Sequence, residues 1–67
     1  MEPADLGLRE ILYEFRPWGR TVRVAAIDPV SGTEVVIVGD PTRGEAVLKD
    51  IAARKLAYVI DKKRRGL

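Results

Sequence analysis

The chain has 67 residues, 46% of them hydrophobic, a formal charge of +2 and neither cysteine nor histidine. That length allows one domain with one core, burying only about 60% of the unfolded chain's surface. The composition excludes a disordered tail, and the charge is too small to imply a polyanion partner by itself. With no side chains for a disulfide or a transition-metal staple, so small a domain is expected to gain stability by self-association, without a cofactor.

Residues 1–8 carry Pro3, Gly7 and scattered acids and read as a loosely held arm, although Leu6 and Leu8 are free to pack. Acids and a proline stand where a signal peptide needs a basic region and an apolar run. No stretch approaches the roughly 18 to 20 apolar residues of a membrane span. A cytoplasmic protein with no membrane partner is expected, its single domain covering residues 9–63 and a basic tail residues 64–67.

From Arg9, "REILYEFR" alternates, with Ile11, Tyr13 and Phe15 on one side and Glu10, Leu12, Glu14 and Arg16 on the other, the pattern of a half-buried strand. The strand is expected to end at Arg16, the residue before a proline. Pro17 then takes the second position of a turn and Gly19 the left-handed position of a three-residue loop, with Trp18 as a plain loop residue between them. "RTVRVAAID" is the second strand, rich in β-branched residues. It stops at "DPVSG", where Asp28 bonds the backbone ahead of it, Pro29 starts the turn and Gly32 leaves it. "TEVVIVG" is a third strand, apolar on both faces.

"TRGE" has the form of a capping box, Thr42 with Glu45, and opens a helix. Val47, Leu48, Ile51, Ala52, Leu56, Val59 and Ile60 recur at spacings of three and four, and Tyr58 at the edge of that stripe reads as core. Cations in "DKKRRG" complement the helix dipole at its end, with Gly66 beyond. The fold class is α+β, a three-stranded antiparallel meander followed by one helix packed on one sheet face, βββα.

Loop lengths set the register. A three-residue loop at 17–19 pairs Phe15 with Thr21, Tyr13 with Arg23 and Leu12 with Val24; a four-residue loop at 29–32 pairs Asp28 with Thr33, Ala26 with Val35, Ala25 with Val36 and Val24 with Ile37. Paired residues share a face. One face then carries Ile11, Tyr13, Phe15, Ala25, Ile27, Val36 and Val38, and the helix is assigned to it, with Arg23 snorkelling past the Tyr13 ring. The other face, Leu12, Val22, Val24, Val35 and Ile37 with Ala26, is left as the self-association surface of a homodimer or higher oligomer, or the site of an unidentified protein partner. On that reading folding and association are coupled.

No catalytic constellation is present. Histidine and cysteine are absent, and the lone serine, Ser31, belongs to a turn. Glu10 and Glu14 lie about 13 Å apart along a strand, too far for a carboxylate pair. "GDPTRG" has glycines before a helix but lacks a phosphate-loop lysine and reads as capping. The expectation is a non-enzyme.

"RPWGR", then "DP..G", then "EA....AA" in a helix, residues 16–53, is similar to the plant ethylene-response-factor type DNA-binding domain. The resemblance implies nucleic-acid contacts at Arg16, Trp18, Arg20 and Arg23 on an open sheet face, and the basic run Lys62, Lys63, Arg64 and Arg65 is a second candidate for a polyanion. This chain has one residue more between "PWG" and "DP", which exchanges strand faces. A resemblance covering nearly the whole chain is carried by "YEFR", "VRVAAIDP", "SGTEV" and "KLAYV". These resemble a family of short bacterial proteins classed only as a domain of unknown function. It implies a bacterial cytoplasmic protein and transfers no activity.

Overall fold

The computed structural model describes residues 10–66, so the arm read at residues 1–8, with Leu6 and Leu8, lies outside the described residues. Strands β1 (Leu12–Trp18), β2 (Thr21–Ile27) and β3 (Glu34–Gly39) form one antiparallel sheet in the order β1-β2-β3. A 3-10 turn at Pro41–Arg43 leads into the single helix, α1 (Glu45–Arg64). This is the βββα, α+β architecture that the alternation, the turns and the helical spacing predict. No helix among the described residues is long and apolar enough to cross a membrane.

The second hairpin has the register derived from its loop: Ala26 opposite Val35, Ala25 opposite Val36, Val24 opposite Ile37, with Asp28 N–H donating to the Thr33 carbonyl at 2.9 Å. Asp28 is almost wholly buried, and its carboxylate accepts from the Val30 and Ser31 amides and from the Ser31 hydroxyl at 2.7 Å. Ser31 Oγ, its one proton given to Asp28, accepts in turn from the Thr33 amide at 3.2 Å and lies 2.8 Å from Thr33 Oγ1, whose hydroxyl is free to donate to it. A buried acid is tolerated here because its acceptors are filled.

The first hairpin departs from its expected register. Its loop is two residues, Gly19 and Arg20, not three, and β1 runs through Pro17 to Trp18, which faces Thr21. Gly19 has φ +60°, and no described non-glycine residue has positive φ, the pattern of a type II′ turn with glycine first. Pro17 is accommodated because β1 is an edge strand and Pro17 pairs with Val22, one pair beyond the hydrogen-bonded pair that closes the turn, so its missing N–H would have pointed to solvent. Phe15 thus faces Val24 instead of Thr21, an odd displacement of three positions. An odd slip exchanges the face of every β1 side chain relative to β2.

The exchange redistributes both faces. Val22, Val24, Ala26 and Val35 are buried under α1 with Leu48, Ala52, Leu56 and Ile60, while Ile11, Tyr13, Phe15, Ile37 and Val59 pack around them. Four of the five residues expected on the self-association face, Val22, Val24, Val35 and Ile37, therefore belong to the core side, and only Leu12 stays on the open side. Ile11, Tyr13 and Phe15 face the helix as expected, but Ala25, Ile27, Val36 and Val38 do not, and Arg23 lies opposite Arg16 on the open side. This register keeps the Arg23 charge out of the core, which its alternative would not.

The helix also begins differently. Asp40 caps the 3-10 turn, accepting from Thr42 N–H at 2.9 Å and Thr42 Oγ1 at 2.7 Å, and so takes up the hydroxyl expected in the capping box. Gly44 is the N-cap of α1, without a side-chain cap. Its φ of +91° turns the chain into the helix, a conformation that favours glycine. Tyr58 is 56% exposed, since Ala53, Leu56, Ala57 and Ile60 carry the buried stripe past it. The C-terminal cations Lys62, Lys63 and Arg64 complete the last turn, so the helix extends one residue into the expected tail.

Candidate interaction surface

The sheet side away from α1 is built by the alternate residues of all three strands. The register arranges them in rows across the sheet: Trp18 with Thr21; Arg16, Arg23 and Val38; Glu14, Ala25 and Val36; Leu12, Ile27 and Glu34. Leu12 (48%), Trp18 (61%), Val36 (42%) and Val38 (61%) are among the large apolar side chains left most exposed. β-branched and aromatic side chains suit these positions because each strand needs them for pairing whether or not the face is covered.

Charge on this face is ordered along the strands. The Arg23 guanidinium lies 4.3 Å from the Trp18 ring centroid, a cation–π contact, and Arg16 pairs through Nε with the Glu14 carboxylate. The cations thus stand toward the 19–20 turn, and Glu14 and Glu34 toward the opposite end. Between them lies an open depression lined by Glu14, Arg16, Arg23, Ala25, Glu34 and Val36. The chain has no histidine, and no cluster of three or more potential metal-ligating side chains occurs among the described residues.

The residues nominated for nucleic-acid contact are distributed in two places. Arg16, Trp18 and Arg23 share the open face and Arg20 sits in the adjoining turn, so Trp18 is a strand residue on that face and not a loop residue. Lys62, Lys63, Arg64 and Arg65 are at the other end of the molecule. There, Asp28 is held below the usual carboxylate range, first by the Ser31 hydroxyl bond, with smaller help from the Val30 and Ser31 amides and the charge of Arg64, against a burial that acts the other way. Within the basic run Arg65 Nε donates to Asp61 at 2.9 Å and Lys62 lies 6.0 Å from the Tyr58 ring centroid.

Sequence reasoning missed Ala25, Val36 and Val38 as surface residues. The available signal was charge: the register that puts Arg16, Arg23, Glu14 and Glu34 on one face leaves the strand residues of the other face without a charge.

Fold and surface together define a small α+β domain with one side of its sheet packed under its own helix and the other side open. Residues 8–64 match the family model described as a domain of unknown function, DUF6898, and the chain belongs to that family. No curated protein and no solved structure matches it.

Proposed function

We propose that this chain is a small non-enzymatic interaction domain that self-associates through its open sheet face, in a bacterial cytoplasm whose reducing conditions suit a chain without cysteine. The observation that carries the reading is the exposure of Leu12, Trp18, Val36 and Val38 together on one side of the sheet. Three strands of about seven residues present roughly 300 Å2 in projection, shared between these apolar side chains and Arg16, Arg23, Glu14 and Glu34. Light scattering across a concentration series tests it. A mass that rises toward two or more chains supports the domain as self-associating, and a monomer at high micromolar concentration overturns that.

A nucleic-acid-binding module is the second reading, favoured by one observation, the meeting of Arg16, Arg23 and Trp18 on the open face next to Arg20. Against it, Glu14 and Glu34 share that face and would repel phosphates. The second basic group lies at the far end of a 20-residue helix, about 30 Å away, so the two do not merge into one footprint. Retention on heparin that is lost between low and moderate salt would favour this reading over the first.

A further inference from the structure

We infer that two copies stack open face to open face about a two-fold axis that lies in the interface and runs perpendicular to the strands, so that Arg16 of each copy meets Glu14 of the other. The inference rests on the self-association reading above and specifies the partner, a second copy, and its orientation.

The sheet edges are poor sites for a second copy. β1 carries Pro17 within the strand, and along β3 the Lys55 ammonium donates to the Val36 carbonyl at 2.8 Å. Both are devices that blunt strand pairing at an edge. Among the described residues the open face carries no proline within the sheet interior, and its rows are complementary at Arg16 and Glu14 under one arrangement. An axis perpendicular to the strands, passing between the Arg16–Arg23–Val38 row and the Glu14–Ala25–Val36 row, lays each row on the other row of the partner. Arg16 then faces the partner's Glu14, Val38 faces the partner's Val36, Arg23 covers the partner's Ala25, and Trp18 reaches toward the partner's Leu12. Arg16 meets an opposite charge and Val38 an apolar side chain, while Arg23 keeps its contact with its own Trp18 ring. The twist of about 30° between packed sheets leaves these central rows nearest the axis and so least displaced.

The other two-fold arrangement fails on the same rows. An axis parallel to the strands would set Arg23 against the partner's Arg23 and Glu14 against an apolar valine, like-charge and unpaired contacts that suppress an interface.

The test uses the full chain with Glu14→Arg and Arg16→Glu made separately. Their side chains are 52% and 77% exposed, so each variant is expected to keep the circular-dichroism spectrum of the unaltered protein. Each alone brings like charges together across the axis and should self-associate roughly tenfold more weakly or worse in sedimentation equilibrium. Mixed in equal amounts, the two variants present opposite charges to one another at both positions, and heterodimers should form with the affinity of the unaltered protein restored. An Arg16–Glu14 pair that mattered only within one chain would not be rescued by mixing. As an independent measurement, Val36→Cys and Val38→Cys chains, in a protein with no native cysteine, should form mixed disulfides in preference to either homodisulfide. Unaltered protein that dimerises while the mixture shows no rescue, or homodisulfides that predominate, overturns the orientation and leaves self-association standing. Unaltered protein that stays monomeric overturns both.

Discussion

Asp28 shows how one side chain organises a turn and ties it to pH. Its oxygens hold the Val30 and Ser31 amides and the Ser31 hydroxyl, and these bonds, the Ser31 hydroxyl first, keep its carboxyl below the usual carboxylate range. A folded-state pKa below the unfolded value, about 3.9, contributes stability that is complete above that value and disappears as pH falls through the lower, folded one. The expected outcome is that Asp28→Asn melts at a lower temperature than the parent at pH 7, and that the difference narrows on acidification from about pH 5 to pH 2. Melting curves followed by circular dichroism at a series of pH values check this. Asp40, lowered by its bonds to Thr42, accounts for part of the acid limb that the variant retains.

At the scale of elements, the close approach of β3 to α1 depends on Gly39. A Cβ there would lie 2.5 Å from Leu48 Cδ2, and Leu48 is itself only 2% exposed in the core, with little room to retreat. Gly39→Ala should lower stability by roughly 1 to 3 kcal/mol through overpacking, while Gly39→Ala combined with Leu48→Val should recover part of the loss; urea denaturation measures both. The elements themselves were legible from hydrophobic period and turn chemistry: three strands, the 29–32 turn with its register, and the helix. What escaped was how far β1 runs. Proline is a turn residue by local preference, and only pairing with β2 shows that Pro17 occupies a solvent-facing edge position. That single misplacement moved Val22, Val24 and Val35 from the core to the surface and concealed Val36 and Val38. The capping box at Thr42 failed for a similar reason, because Asp40, two residues earlier, competes for the same hydroxyl.

Over the whole molecule, the helix covers the more apolar side of the sheet, so each chain has a core of its own. Two substitutions separate these roles. Val24 is fully buried, and Val24→Glu would place a carboxylate there without a partner, a cost comparable to the roughly 5 kcal/mol total stability of a domain this small. The expected result is an unfolded chain. Val36, 42% exposed on the open side, tolerates Val36→Glu with the fold intact and the self-association weakened. Circular dichroism and light scattering together distinguish the two, and a folded monomeric Val24→Glu would contradict the packing described here.

The strand order β1-β2-β3 has a kinetic corollary. Each strand pairs only with its neighbour in the chain, and α1 packs on β2 and β3, the strands nearest it in sequence. Strand pairing of this kind closes short loops and the packing of α1 on β2 a longer one, which predicts folding on the order of milliseconds. Subunits would then meet already formed, and the encounter rate would be set by diffusion and by attraction between oppositely charged rows. Added salt should slow that encounter while leaving the folding rate of a monomeric variant almost unchanged.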